Sequence, residues 1–287
     1  MKSKIKVVCI VGPTATGKSD FAVEYALEHN GEVISADSRQ VYKAMDIGTG
    51  KITSEEMKGV PHHLLDVAEP SEQFNVGQYK KLAQEAIADI SSRGKLPIIC
   101  GGTGFYIDAV VSNISYPDVQ HDKELRKNLE KDNTNELFKK LEKLDNNFAK
   151  SLNNSEKNNK QRLIRSIEIA TALGSIPKVT KNQSDYDVTW IGLNYPYEKL
   201  KERIHIRLLK RIDEGMTEEV EKLHKNGLSW EKLDSFGLEY RYISRYLRKM
   251  ITREEMLKLL EIEICHYAKR QMVWFKRNKE IEWINRK

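Results

Sequence analysis

The apolar run from Ile5 to Val11 suits a parallel strand buried on both faces. A glycine-rich turn follows, and the spacing predicts a helix from about Gly17 to Glu28. Gly31 to Ser35 reads as a second strand, and residues 62–67, HHLLDV, as a third. Val76, Tyr79, Leu82, Ala83, Ala86, Ile87 and Ile90 then recur at helical intervals. Asn75 is placed to cap that helix, which runs to about Ser92. Residues 96–100, LPIIC, read as a further strand ending in Gly101-Gly102-Thr103-Gly104. Strands alternating with helices predict a doubly wound α/β layer.

From about residue 112 to 187 the texture changes. Glycine is nearly absent, Asn and Lys are frequent, and Leu125, Leu129, Leu137, Phe138, Leu141 and Leu144 recur at helical spacing. This predicts a small all-helical insertion, with polar loops near 153–159 and 175–187. VTWIGL, 188–193, returns as a strand, and residues 196–287 read as several amphipathic helices. The expected organisation is an α/β core over 1–111, the insertion over 112–187, and a return to the core with basic C-terminal helices over 188–287.

The chain has 287 residues, 39% hydrophobic and 31% charged. That supplies a core and excludes wholesale disorder. No apolar run approaches the length of a membrane span. The short apolar stretch near the start flows into a glycine motif rather than a cleavage site, so a signal peptide is not expected. Cys9, Cys100 and Cys265 lie far apart with no CxxC pair, which fits a reducing cytoplasm better than a disulfide framework. Basic and acidic side chains balance over residues 1–194, so the whole net charge of +6 falls in residues 195–287. A polyanionic partner would account for it, and so would solvated helix faces.

Gly12-Pro13-Thr14-Ala15-Thr16-Gly17-Lys18-Ser19 matches G-x-x-x-x-G-K-[ST] between an expected strand and an expected helix. Such a loop turns backbone N–H groups around phosphate oxygens at a helix N-terminus. Lys18 adds a full charge, and the Ser19 hydroxyl can ligate Mg²⁺. The motif specifies a polyphosphate without specifying a nucleoside triphosphate. A similar stretch, Gly48-Thr49-Gly50-Lys51, lacks the first glycine at the right spacing and reads as a turn only.

Asp37 follows the second strand, so it should face the ligand crevice beside Ser38, Arg39 and Gln40. That cluster suits base recognition and proton abstraction, and equally an Asp capping the next turn. Asp66 is the strand-terminal rival carboxylate. His62 and His63 are adjacent on an expected strand and point to opposite faces, so they do not share one metal ion. No zinc spacing occurs elsewhere.

GPTATGKS, ISADSRQVYKAMDIGTGK, VPHHLLDV and CGGTGFY occur in this order, followed by QRLIRSIEIA, RIHIRLLKRIDEGMTEEV and YAKRQMVWFKR. Together, over about residues 5–278, they resemble the bacterial tRNA dimethylallyltransferases (tRNA isopentenyltransferases). The resemblance implies a P-loop-type parallel sheet flanked by helices and a prenyltransferase activity. A dimethylallyl group would pass from its diphosphate to N6 of the adenosine 3′ to the anticodon. The P-loop, Lys18 and Mg²⁺ at Ser19 would then hold a departing diphosphate. Arg203 and Arg207, one turn apart, would clamp it, with Arg207 the arginine of that helix that meets it. Asp37 would orient N6 and take its proton, and Thr103 would touch the acceptor. Arg126, Gln161, Arg162 and Arg165 match family positions that contact tRNA. The basic C-terminal third, including Arg245, Lys269 and Arg270 among aromatic residues, would grip its backbone. The expected protein is a monomer. Arg211 and Ile212 stand where a Met or Leu pair is usual, and Leu238 where a glycine is usual. Two other activities share the donor motif: an adenylate isopentenyltransferase and a small-molecule P-loop kinase.

Overall fold

The computed structural model describes residues 4–114, 117, 119–178 and 184–286. They fall into two compact units: Met1–Asn113 with Gln183–Lys287, and Ile114–Asn182.

The first unit is built on β1 (Ile5–Val11), β2 (Gly31–Ser35), β3 (His62–His63), β4 (Leu96–Gly101), β5 (Tyr186–Asn194) and β6 (Glu282–Asn285). They form one sheet in the order β3-β2-β4-β1-β5-β6, parallel throughout. The expected α/β class with a parallel sheet is therefore observed. β1 is apolar because both its faces are covered. Val8 and Ile10 pack with Ala22, Val23 and Ala26 of α1 (Lys18–Glu28). Val7, Cys9 and Val11 pack with Tyr79, Ala83 and Ile87 of α2 (Val76–Ser92) and with Ile107 and Val110 of α3 (Gly104–Val111). Asn75 caps α2 as expected: its side chain accepts from the Gln78 N–H at 3.0 Å, and Gln78 accepts in return from the Asn75 N–H at 2.9 Å.

The C-terminal helices of this unit are α9 (Tyr197–Asp213), α10 (Met216–Lys225), α11 (Trp230–Phe236), α12 (Leu238–Leu247) and α13 (Arg253–Phe275). Leu200, Ile204 and Leu208 on one side of α9 join Val220, Phe236, Ile243, Met256 and Leu260 in one core, which also takes in Val41, Tyr42 and Met45. The segment after β2 is thereby locked against the C-terminal helices. The three cysteines are buried and unpaired. Among the described residues no helix is long and apolar enough to cross a membrane.

The second unit contains α4 (Lys123–Leu129), α5 (Thr134–Leu144), α6 (Asn146–Ser151), α7 (Asn154–Lys157) and α8 (Lys160–Leu173) around Leu137, Leu141, Leu163 and Ile164. At its centre Glu168, whose side chain is 1% exposed, takes two hydrogen bonds from Arg126, at 2.6 and 2.7 Å. Arg165 lies 3.3 Å from the same carboxylate and also donates to the Val119 carbonyl at 2.8 Å.

Three local expectations change. The strand expected over 62–67 stops after His63, because Leu64 and Asp66 adopt φ of +64° and +55° and turn the chain out of the sheet. The polar stretch near 153–159 holds the single turn α7, capped reciprocally by Asn153 and Glu156. β6 was not anticipated, since EWIN is short, mixed in polarity and mostly exposed on the sheet edge. Residues 179–183 of the loop expected near 175–187 lie outside the described residues.

Glu32 on β2 is 2% exposed and holds Arg93 (2.5 and 2.7 Å), Lys95 (2.7 Å) and His63 (2.8 Å). His62 instead faces the Val60 carbonyl at 2.9 Å, so the two histidines do diverge. Hydrogen bonds from Arg93 above all, then Lys95 and His63, hold the Glu32 carboxyl far below the ordinary glutamate value. A depressed folded-state pKa contributes stability that is complete above the ordinary pKa and is lost as pH falls below it. Between about pH 5 and pH 3, the urea midpoint should therefore drop more steeply for the wild-type chain than for Glu32→Gln. Equal acid slopes would contradict this assignment.

Candidate active site

The carboxyl ends of β1, β2 and β4 converge. After β1 the loop 12–17 wraps into the first turn of α1. Gly12 takes φ +144°, and a Cβ there would sit 2.4 Å from the Leu193 carbonyl oxygen, so β5 admits only glycine. Thr16 Oγ1 ties the loop to the Pro13 carbonyl at 2.8 Å, and Lys18 Nζ donates to the same carbonyl at 2.6 Å. Gln271 on α13 braces it from outside. Gln271 accepts from the Thr14 N–H at 2.8 Å and donates to the Gly102 carbonyl at 2.9 Å, joining the loops after β1 and β4.

Helix α9 lays guanidinium groups across this loop. Arg203 Nε donates to the Ala15 carbonyl at 2.8 Å, and Arg207 Nη1 to Thr14 Oγ1 at 3.4 Å. One turn further on, Arg211 lies 3.3 Å from Glu239. Burial drives the charge chemistry. It pulls Lys18 down to about 8, with Arg207 adding to the fall and Cys100 and Asp37 opposing it. It pulls Arg207 down to about 10, helped by the neighbouring Arg211. Each cation is thus held where its charge is costly without an anion.

Asp37 begins the turn after β2. Its Oδ1 accepts from the N–H groups of Arg39 (2.8 Å) and Gln40 (3.3 Å), the cap that the sequence allowed. None of the hydrogen bonds among the described residues goes to its Oδ2, and Asp37 lines both cavities of the site. The Ser38 N–H donates to Thr103 Oγ1 at 3.1 Å, and the Thr103 N–H to the Ala36 carbonyl at 3.1 Å, so the turns after β2 and β4 are stitched together beside Asp37. Tyr267 stands against them. Burial first and Asp37 second push its hydroxyl pKa well up, which keeps it a neutral donor.

Two adjoining cavities share Thr14, Asp37, Thr49 and Tyr267. The first, about 400 Å³, is lined by Lys18, Ser19, Arg203 and Arg207 along its phosphate-loop side. The second, about 260 Å³, is lined by Ser38, Arg39, Phe236, Tyr242 and Arg270, with the pair Arg211–Glu239. Asp37 stands at the junction.

The structure therefore brings together the loop 12–19, Asp37 to Gln40, Thr103, Arg203, Arg207 and Arg270. Arg245 and Lys269 line neither cavity. Arg245 donates to Asp234 at 3.2 Å, and Lys269 lies over the Tyr197 ring at 4.3 Å. In the second unit Arg126 and Arg165 are committed to Glu168, whereas Gln161 and Arg162 are exposed, Arg162 pairing with Glu156 at 2.9 Å. Asp66 pairs with Lys51 and is no rival to Asp37. Leu238, at φ +38°, occupies the left-handed region that favours glycine, where the resemblance has one. Tyr267, Gln271, Arg211, Glu239 and Thr49 were not anticipated as cavity residues. Tyr267 and Gln271 are four apart in one helix, a spacing that puts them on one face and would have linked them.

A parallel α/β sheet with this loop, a cluster of half-buried cations around it and a carboxylate beside them defines a protein of the P-loop class. A profile of the IPP transferase family matches residues 40–278. The tRNA dimethylallyltransferase 2 of Treponema denticola is 42% identical, over 99% of this chain and 97% of that protein. The solved tRNA isopentenylpyrophosphate transferase of Bacillus halodurans is 38% identical, with a TM-score of 0.74 over 98% of this chain and 90% of that one. A eukaryotic dimethylallyltransferase solved acting on tRNA has a TM-score of 0.82 at 25% identity, over 98% of this chain and 73% of that one. The chain belongs to the IPP transferase family.

If the loop and α9 form an anion site, inorganic pyrophosphate should bind with micromolar to millimolar affinity, and Arg207→Ala should weaken it roughly 10- to 100-fold. Isothermal titration calorimetry measures both. Unchanged affinity in the variant would remove Arg207 from the site.

Proposed function

We propose that this chain is a tRNA dimethylallyltransferase that moves a dimethylallyl group from its diphosphate to N6 of the adenosine 3′ to the anticodon. The observation that carries the reading is Asp37 at the junction of a cation-lined cavity and an aromatic, polar one. The relatives' names favour tRNA over AMP or a small kinase substrate as acceptor.

The diphosphate would lie against the loop amides, Lys18, Arg203 and Arg207. The allylic carbon would point toward Asp37. Adenine N6 is a weak nucleophile because its lone pair is delocalised into the ring. Breaking the carbon–oxygen bond leaves its electron pair on the diphosphate, whose growing charge the half-buried cations stabilise in place. As the new nitrogen–carbon bond forms, N6 becomes acidic, and its proton passes to the free Oδ2 of Asp37. An ordinary carboxylate suffices, because the proton is acidic only during attack. Thr103 and Tyr267 supply hydroxyls beside the same face, and Arg39, Arg270 and Ser38 line the cavity that would receive the extruded nucleotide.

The donor set fits Mg²⁺ held chiefly by substrate. Ser19 offers a hydroxyl at the cavity with Asp20 beside it, and no three His, Cys, Asp or Glu side chains converge on a site among the described residues. The remaining ligands would be diphosphate oxygens and water, and the ion would add positive charge to the leaving group.

Asp37→Ala should cut turnover roughly 10²- to 10⁴-fold, in an assay of labelled dimethylallyl diphosphate with tRNA, while tRNA affinity stays near wild type. Near-normal turnover would exclude Asp37 as the base. Labelling of AMP in place of tRNA would overturn the acceptor.

The second unit separates two kinds of arginine. Arg162→Ala should weaken tRNA binding and lower the salt slope by about one. Arg165→Ala should instead lower the melting temperature, because it strips a partner from buried Glu168. A reversed pattern would contradict this division.

A further inference from the structure

The turn Gly48-Thr49-Gly50-Lys51 is a wall of the active site. Thr49 lines both cavities, Gly50 the first and Gly48 the second. Its glycines are fixed by close approach. A Cβ on Gly48 would meet the Tyr240 hydroxyl oxygen at 2.7 Å, and one on Gly50, at φ +59°, would meet the guanidinium nitrogens of Arg207 and Arg211. Gln40 Nε2 donates to the Gly50 carbonyl at 3.1 Å and reaches the Thr49 carbonyl at 3.5 Å, while the Gln40 N–H meets Asp37. Lys51 anchors the far end on the Tyr42 carbonyl, Asp46 and Asp66.

The near end is anchored by a residue that lines neither cavity. Glu219 on α10 accepts from the N–H groups of Asp46 (2.9 Å), Ile47 (2.7 Å) and Gly48 (3.0 Å), and from the Tyr240 hydroxyl (2.7 Å). Three successive amides aimed at one carboxylate form a nest, and charged acceptors make such bonds strong. The helix carrying Glu219 is itself immobilised, since Met216, Val220 and Leu223 are buried in the core. Tyr240 is 2% exposed, and burial followed by the Glu219 charge pushes its hydroxyl pKa up, so it remains a donor.

We propose that Glu219 is a positioning residue: it seats the 46–50 wall, and through Gln40 and the Arg207–Arg211 contact surface it sets the geometry of Asp37 and the guanidinium clamp. This rests on the transferase reading above. A displacement of about 1 Å at reacting groups costs roughly 10²-fold in rate.

The test measures kcat, KM for both substrates and melting temperature in the full chain with tRNA and dimethylallyl diphosphate. Glu219→Ala should lower kcat roughly 10- to 100-fold in the folded enzyme. Glu219→Gln should fall between, because its oxygen still accepts from Asp46 and Ile47 while its amide can donate to Tyr240. The double variant Gln40→Ala/Glu219→Ala should be no slower than the slower single variant, because both act through one wall. Should Glu219→Ala not fold, the cycle is run with Glu219→Gln. Multiplying effects, or a lowered melting temperature with unchanged kcat and KM, would overturn the proposal. A wild-type enzyme without turnover would sink the transferase reading, whereas an active wild type with unimpaired Glu219 variants sinks only this inference.

Discussion

Positive charge gathered, half-buried, around one cavity at one end of the sheet is the constraint on which the rest of the architecture depends. Lys18 sits at the start of α1, and Arg203, Arg207 and Arg211 descend one side of α9 toward it. Burial lowers the pKa of Lys18 and of Arg207, opposed by Cys100 and Asp37 at the lysine and by Glu239, Asp37 and Asp20 at the arginine. Such a cluster is stabilised when an anion with several charges completes it, which the diphosphate of the proposed donor would supply. Leu200, Ile204 and Leu208 bury the adjoining face of α9 in the helical core, so packing of that face fixes where the arginines beside it reach the loop.

The same packing divides the crevice in two. The turn after Ile47 stands between the cation-lined and aromatic cavities, pinned by Glu219 at one end and by Lys51 at the other. The Asp37 carboxylate is split in function along this boundary. One oxygen is spent on its own turn, and in the proposed reaction the other takes the acceptor's proton. In the proposed reaction, a group that leaves on one side and a nucleophile that arrives on the other would meet at a single carboxylate, without either substrate crossing the other's site.

The parallel sheet and the phosphate loop were legible because their determinants are local. An apolar run buried on both faces and a glycine motif between strand and helix carry their meaning within a few residues. Asp37 was legible as a strand-end carboxylate, with its capping and catalytic readings both open, and the structure uses it as a cap while leaving one oxygen free. What escaped depends on distant partners. Gln271 braces Thr14 across more than two hundred residues, Arg211 finds Glu239 only once α9 and α12 are folded, and β6 becomes a strand because β5 offers it an edge. Arg126 and Arg165 match contact positions by sequence, yet the buried Glu168 that claims them is seen only in three dimensions. Gly48 and Gly50 read as a turn from sequence, but only Tyr240 and the two arginines show why no side chain fits there.

The most direct test is a crystal structure of the chain with an anticodon stem-loop and a thio-analogue of dimethylallyl diphosphate that cannot ionise. The account predicts the diphosphate enclosed by residues 12–19 and Arg207, with adenine N6 within hydrogen-bond distance of Asp37 Oδ2. A diphosphate seated elsewhere, or an extruded base turned away from that oxygen, would contradict it.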